Sequence, residues 1–274
     1  MVTADLSGLV VRLRGLDDAL VAEFASAWGP FITGSQGEPF LDVEVGVADH
    51  VIATDRAMRP SLRGDLAGAG AATFRSDEGE ITLDAGTGAR ARVGRGNDRW
   101  RFWGLVNLVT AALAVRLPGR PGALLHAAGI VLEERAFLLV GQEGAGKSTF
   151  ARVAREAGAR VIGDDAVVVD GGAGALCLLG SPVRAHEASR LGPGRWPIAA
   201  ILHARKGPHP RLDALGRVAV EAAVTANLPF LLSGWGQDAR LDALVAYLAE
   251  SVPHRVLTFA PDPSFVEVLR TARL

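Results

Sequence analysis

Cysteine and lysine are both scarce in this chain of 274 residues. Cys177 is the only cysteine, which excludes an internal disulfide framework and a zinc site built from cysteines, and which suits a reducing compartment. Only two of the 29 basic residues are lysines, Lys147 and Lys206. A chain that uses arginine almost everywhere keeps lysine where a compact ammonium on a flexible stem is needed. The position of each lysine is therefore informative.

The sequence also lacks an excess of charge of one sign and a long apolar run. Its net charge of −1 gives no basic surface of the kind that binds nucleic acid or an anionic membrane. The longest apolar stretch, Phe102–Val115, has 14 residues, which is too short to cross a bilayer and is typical of a buried helix. Residues 1–30 do not have the pattern of a signal peptide. We therefore expect a cytoplasmic protein without nucleic-acid or membrane partners; a homo-oligomer is compatible with this composition.

Residues 141–149, Gly-Gln-Glu-Gly-Ala-Gly-Lys-Ser-Thr, form a complete phosphate-binding loop. The apolar run 136–140 predicts a strand before it, and residues 150–157 predict a helix after it that ends at Gly158. Glycines let the backbone wrap around a polyphosphate, with amide groups and the helix N-terminus directed at the anion. Lys147 is expected to reach the β- and γ-phosphates, and the Ser148 hydroxyl to bind Mg²⁺. The predicted ATP-binding residues are Gly141, Gly144, Ala145, Gly146, Lys147, Ser148 and Thr149.

Two carboxylates follow the loop closely. Asp164 and Asp165 lie 17 and 18 residues after Lys147, with room for only one helix and one strand between them. The pair is therefore expected to end the strand that follows the loop helix. In the common nucleotide-hydrolysing folds, the metal-binding aspartate comes later. Paired carboxylates suit phosphoryl transfer, because one can hold Mg²⁺ while the other orients or deprotonates the attacking hydroxyl.

A histidine precedes the loop. His126 lies 21 residues before Lys147 on an apolar stretch, Leu124–Leu132, that predicts a strand paired by a hairpin with the strand entering the loop. This register places it near the loop. We expect His126 to hydrogen-bond the carboxylate pair or to contact the transferred phosphate.

Three segments together resemble the catalytic core of bacterial HPr kinase/phosphorylase, and more closely the kinase-related proteins that share this core: Leu-His-Ala-Ala-Gly at 125–129, the loop 141–149, and Gly-Asp-Asp at 163–165. The resemblance implies an α/β fold with a phosphoenolpyruvate-carboxykinase-like P-loop kinase core. It implies that Lys147 binds phosphate, that Ser148 and Asp164 hold Mg²⁺, and that Asp165 is the base, supported by Asp164 and His126. It extends to residues 180–184, where Arg184 would clamp a phosphate.

The resemblance stops short of the HPr substrate, because the Glu-x-Arg-Gly-x-Gly segment of true HPr kinases is missing downstream. Similar proteins phosphorylate a serine on a ribosomal peptide or free serine. The expected acceptor is a hydroxyl on a peptide, a protein or a small molecule. Two alternatives stay open: a nucleotide-binding sensor or assembly factor without transfer activity, and dephosphorylation of a phosphoserine at the same site. Residues 232–237 resemble a transporter ATPase signature, but Trp235 interrupts the motif.

The chain outside the core predicts two regions. Residues 1–97 are expected to form an α+β accessory region, and residues 98–274 the kinase-like domain. In the first, strands are predicted at 9–13, 40–47 and 89–93, a helix at 17–28, and a hairpin over 71–84. Asn97 is expected to cap a helix over 99–117. After the core, strands are predicted at 160–162, 167–169, 175–179 and 255–259, and a helix at 241–250.

Overall fold

The computed structural model describes residues 1–35, 37–51, 63–66, 71–172, 174–183, 192–228 and 239–274. It is a mixed α/β protein with two mixed sheets, as the sequence predicted for the fold class. Among the described residues, 1–119 form one compact unit, and 120–228 with 239–274 form a second. The division falls after Gly119 rather than at residues 97/98, since the helix that follows Asn97 packs within the first unit.

In its described residues, the first unit is a mixed sheet with two α-helices. Its order is β1-β2-β3-β7-β6-β5-β4, parallel between β2, β3 and β7 and antiparallel elsewhere. In the described part of this unit the elements are β1 Val2–Asp5, β2 Val10–Arg14, α1 Asp18–Trp28, β3 Leu41–Val51, β4 Arg63–Leu66, β5 Ala72–Ser76, β6 Gly79–Leu83, β7 Gly88–Arg95 and α2 Asp98–Arg116, with short 3₁₀ turns at Gly29–Phe31 and Leu117–Gly119.

Side-chain caps start α1 and α2; the cap at Asn97 was predicted, whereas the cap at Asp17 was not. The Asp17 carboxylate accepts the amide of Leu20, and the Asn97 side chain accepts the amide of Trp100. Helix α2 packs against α1 and against β5, β6 and β7. Among the described residues, Asp98–Gly119 is the one segment long and apolar enough to span a membrane by length and composition, and 72% of its most apolar window is buried.

The second unit holds the segments that the sequence analysis singled out. In its described part, the elements are β8 Gly122–Leu125, β9 Ala127–Leu132, β10 Arg135–Val140, α3 Lys147–Glu156, β11 Arg160–Gly163, β12 Val167–Asp170, β13 Cys177–Leu179, β14 Arg195–Lys206, β15 Arg211–Ala214, α4 Arg217–Ala226, α5 Ala239–Ser251, β16 His254–Phe259 and α6 Ser264–Thr271.

Strand β14 organises the second sheet. Its first three residues pair with β13, and β12 and β8 continue the sheet on that side. The remainder of β14 lies parallel to β10 on one side and to β16 on the other. On the far side of β10, the order continues to β9 and β11. Strand β10 is thus paired on both edges, and every residue after Arg135 in it is buried.

One predicted strand is in fact two. Residues 124–132 divide into β8 and β9, and the break falls at His126. The reason is a change of partner: β8 pairs with β12, whereas β9 pairs with β10 and β11. The continuous apolar composition on both sides of His126 hides this break from a sequence pattern. The break takes His126 out of the regular ladder at the point where the sheet divides.

A buried ion cluster joins β12 to the elements around it. Asp170 is fully buried and accepts from two arginines. The Arg120 Nε atom lies 2.8 Å from its Oδ1 and Nη2 donates to its Oδ2 at 2.9 Å, while Arg195 Nη2 donates to Oδ2 at 3.0 Å. Both guanidinium groups remain about one third exposed. One carboxylate therefore ties the start of β8 to β12 and β14.

We expect Asp170→Asn to lower the free energy of unfolding by about 3 kcal/mol, because two closely spaced guanidinium groups then lose the buried charge that compensates them. Urea denaturation of the full chain, followed by circular dichroism, measures this change. Asp213→Asn is the matched control: Asp213 also binds two arginines, Arg205 and Arg211, but its side chain is 38% exposed, whereas that of Asp170 is fully buried. Its cost should stay below about 1 kcal/mol. If the two variants lost the same free energy of unfolding, the burial of Asp170 would not explain its contribution to stability.

Candidate functional site

The predicted strand, loop and helix follow one another as expected. Strand β10 ends at Val140, and α3 begins at Lys147. Gly146 is the N-cap residue of α3, and no side chain caps this end. The first amides of a helix have no intrahelical acceptor, and the helix dipole places partial positive charge there. The N-terminus of α3 is therefore suited to bind an anion.

Two of the loop glycines are required by geometry. Gly146 has φ +103°, and a Cβ there would lie 3.3 Å from the ring of Phe259. Gly141 has φ +155°, and a Cβ there would lie 2.8 Å from the Cβ of Ala145. Both values lie in the region that L side chains avoid. These positions keep the loop compact between β10 and α3.

Lys147 folds back over the loop. Its ammonium donates to the carbonyl oxygens of Gly141 at 2.6 Å and Gln142 at 3.2 Å, and the residue is only 7% exposed. Burial lowers the pKa of Lys147 below its usual range, while the carboxylates of Asp165 and Glu143 act in the opposite direction. The structure thus brings the charge of Asp165 within electrostatic reach of Lys147.

His126 lies against Asp165, as the sequence predicted for the carboxylate pair. Its Nδ1 is 2.8 Å from the backbone oxygen of Asp165 and 3.3 Å from its Oδ1. A carbonyl oxygen only accepts, so Nδ1 carries a proton and donates it to the backbone oxygen of Asp165. Both side chains are partly exposed, His126 at 41% and Asp165 at 35%. The pair is therefore accessible to a substrate.

Asp164 and Asp165 occupy the bend between β11 and β12, directly after the strand that follows α3. Ser148 is exposed in the first turn of α3, and Asp164 is half-buried. Among the described residues, no three His, Cys, Asp or Glu side chains are grouped so that they could hold a metal ion. A magnesium ion bound with a nucleotide needs no such group, because one or two protein ligands and phosphate oxygens suffice. Ser148 and Asp164 carry oxygen atoms of the kind that bind Mg²⁺.

Asn227 also belongs to this site, although it was not predicted from the sequence. It ends α4, and its Oδ1 accepts the Gly141 amide at 3.1 Å. Its backbone oxygen accepts the amide of His126 at 2.8 Å, and its Nδ2 donates to Ala223 O at 2.8 Å. The residue is 6% exposed. The available signal was an asparagine at the end of an Ala- and Val-rich segment and two residues before a proline, which is typical of a helix terminus.

Two predictions fall on residues outside the described part of the chain. Arg184 was predicted as a phosphate clamp, and residues 184–191 are not among those described. The segment 232–237, which resembles a transporter signature, also lies outside. The phosphate clamp at Arg184 therefore stays a prediction.

A pair of histidines, His203 and His254, lies beside the strand that enters the loop. His203 on β14 is in register with Val140, the last residue of β10. His203 Nε2 lies 3.0 Å from His254 Nδ1, and His254 Nε2 lies 3.0 Å from Leu248 O. Because a carbonyl only accepts, His254 carries its proton on Nε2 and His203 donates to its Nδ1. Burial and the neighbouring His254 lower the pKa of His203 to about 4.

The first unit has an open cleft of about 360 Å³ on the outer face of its sheet. Its charged side chains are all paired: Arg14 Nε is 2.9 Å from Asp42, Arg90 Nε is 3.8 Å from Glu44, and Asp84 binds Arg116, which does not line the cleft. Of the predicted site residues that the structure describes, none lines this cleft. Its paired charges give no preference for a charged ligand.

The structure therefore brings together three of the predicted groups, Lys147, Asp165 and His126, from separate segments of the second unit. No protein-family model and no curated protein sequence matches this chain. Its function is accordingly inferred from the chemistry of the site.

The contact between the half-buried His203 and the buried His254 predicts a pH dependence of stability. Below pH 6.5 the unfolded chain protonates at position 203, whereas the folded chain does so only near pH 4. The unfolded state thus binds more protons in this window, and the free energy of unfolding falls as the pH drops through it, by roughly 3 kcal/mol at most.

His203→Gln should remove part of this loss, because an amide still donates to His254 but does not titrate. Urea denaturation at pH 7, 6, 5 and 4 measures it, with His209→Gln in the exposed turn after β14 as the control. Parallel pH profiles for the wild type and His203→Gln would refute this origin.

Proposed function

We propose that this protein is an ATP-dependent kinase that transfers the γ-phosphate to a serine-type hydroxyl on a peptide, a protein or a small molecule. One observation carries the proposal. Lys147 folds over the loop at the uncapped N-terminus of α3 and lies within electrostatic reach of Asp165. Asp165 in turn is contacted by His126. Phosphate binding and proton transfer are thus supplied by neighbouring groups.

The proposal includes the fold family. We propose that the second unit is a phosphoenolpyruvate-carboxykinase-like core related to HPr kinase. The support is the order of segments: a strand ending near His126, the hairpin β9–β10, the loop, α3, and β11 ending at the acidic pair. In this order, β11 returns to pair with β9, so that residues 164–165 and His126 meet at one end of the sheet.

The loop would hold the triphosphate. Backbone amides at the start of α3 would face the phosphate oxygens, and the Lys147 ammonium would exchange its carbonyl acceptors, Gly141 and Gln142, for phosphate. Ser148 and Asp164 would hold Mg²⁺, which when bound neutralises phosphate charge and so favours attack at phosphorus. Lys147 is partly desolvated before binding, which strengthens its attraction for an anion.

Asp165 would act as the general base. In the transfer, the acceptor hydroxyl gives its proton to an Asp165 carboxylate oxygen as its oxygen bonds to the γ-phosphorus. The bond from phosphorus to the bridging β–γ oxygen breaks, and ADP leaves with those electrons. His126 contacts both the backbone and the carboxylate of Asp165, and so would fix the orientation of the carboxylate.

The same residues would serve the reverse reaction, because a protonated Asp165 can return its proton to a serine oxygen. A nucleotide sensor would use the loop without the carboxylates. The half-exposed contact between His126 and Asp165 favours transfer, since a pure binding site has no need of a base that a substrate can reach.

The test is phosphate transfer from γ-labelled ATP, with Mg²⁺, to small-molecule, peptide and protein fractions of the source cell. Asp165→Asn should lower the rate of transfer by about 10²–10⁴-fold, the usual contribution of one acid–base group. ATP binding should persist in this variant. Asp213→Asn, the same change at a partly exposed carboxylate on β15, should leave the rate unchanged.

Lys147→Ala should weaken ATP binding at least about tenfold, the effect of losing one charge-assisted contact of roughly 1.5–3 kcal/mol. Lys206→Ala is the matched control, because Lys206 is exposed at the end of β14 and is the other lysine of the chain. Transfer at the normal rate by Asp165→Asn would overturn the assigned base. ATP binding without transfer in any fraction would favour the sensor instead.

A further inference from the structure

We infer that Asn227 is a positioning residue that sets the phosphate loop and His126 relative to each other. This inference rests on the proposed function, because it assigns how that site is held in its working geometry. Asn227 lies outside the segments that carry the resemblance to HPr kinase, more than 60 residues after Asp165 in the chain.

Asn227 contacts the loop at its first residue. Gly141 directly follows β10, and its amide leaves the sheet ladder at the point where the backbone turns into the loop. The Asn227 Oδ1 atom accepts this amide at 3.1 Å. A half-buried amide without an acceptor costs roughly 1–3 kcal/mol, so this contact favours the turn that the loop makes.

Asn227 also contacts the histidine. His126 lies in the break between β8 and β9, where its amide is outside both strands. The Asn227 backbone oxygen accepts that amide at 2.8 Å. One residue therefore satisfies the backbone at both breaks, the one before the loop and the one at His126.

Asn227 is itself held rigidly. Its Nδ2 donates to Ala223 O one turn back in α4, and the residue is 6% exposed. The two ends of its amide are thus fixed, and its rotation is limited. Helix α4 packs on α5, which gives the bridge a support independent of the loop.

A carboxamide suits this position better than other side chains. It must accept from Gly141 and donate to Ala223 simultaneously, which a hydroxyl of shorter reach or a carboxylate does not do. A carboxylate would also place negative charge beside a phosphate site. Asn227 therefore holds the loop without adding a charge, and this lowers the conformational entropy that the loop loses when phosphate binds.

Asn227→Ala removes the acceptor of Gly141 and leaves the backbone contact with His126. We expect the Kd of Mg-ATP, measured by calorimetry on the full chain, to rise roughly tenfold. The KM for ATP should rise by the same factor. A loss of folded protein lowers the active fraction and the apparent kcat, but it leaves Kd and KM unchanged. This difference separates a positioning role from a structural one.

Thr225→Val is the matched control, because the Thr225 hydroxyl also donates to a backbone oxygen of α4, that of Glu221 at 2.9 Å, without contacting the loop. Its Kd should equal that of the wild type. Asn227→Ser is the second variant, in case Asn227→Ala does not fold; its small polar side chain is too short to keep the bond to Gly141, so it should show the same rise.

An unchanged Kd in a folded Asn227 variant, with ATP bound normally by the wild type, would overturn this inference and leave the proposed function intact. A wild-type protein that binds no ATP would overturn both. An equal rise in Thr225→Val would assign the effect to the helix end rather than to Asn227.

Discussion

The geometry of the site depends first on the buried strand β10, which leads through the loop directly to the uncapped N-terminus of α3. Strand β10 is paired on both edges, and its last residue directly precedes the loop. The other end of the loop is fixed because Phe150 in α3 stacks on Phe265 of α6, with ring centroids 5.0 Å apart. With both ends held, the loop forms a compact turn between β10 and α3. Preorganisation of this kind reduces the ordering cost of binding an anion.

The other site groups are placed by changes in strand pairing rather than by the strands themselves. His126 lies where the chain leaves β8 and enters β9, and Asp165 lies in the bend after β11. Both positions are free of the side-chain alternation of a regular strand, so their side chains can meet. The carboxylate of Asp170 binds Arg120 and Arg195, and so ties the start of β8, the strand that leads to His126, to β12 and β14. Packing and electrostatics thus support a small polar site at the end of the sheet.

Sequence reasoning predicted the local elements with strong patterns. The strand β10, the glycine loop and α3 followed from composition and order, and Asn97 marked the start of α2 correctly. It missed β14, a strand of 12 residues, because Pro197 interrupts its first half and a polar run from His203 to Lys206 ends it. Helix α4 was missed because only Val220 and Val224 of its residues are buried, and no side chain caps its start.

The parts of the site formed by residues close in sequence could be predicted. The parts that depend on strand pairing or on long-range hydrogen bonds could not. The contact of His126 with the acidic pair was predicted from the hairpin, although the strand break at His126 was not. The Asn227 contacts join residues 86 and more positions apart, and no local pattern records them. The boundary after Gly119 was missed for the same reason. Helix α2 packs on α1 and on the first sheet, and no local sequence pattern records these contacts.

The most direct test of the central claim is to follow the backbone amides of the ¹⁵N-labelled protein by NMR as Mg-ATP is added. The account predicts that the largest shifts occur at residues 141–149, where Lys147 leaves its carbonyl acceptors for phosphate. Smaller shifts should follow at Asp165 and at His126. Shifts that spare the loop, or that concentrate at the cleft of the first unit, would contradict the claim that this loop binds the nucleotide.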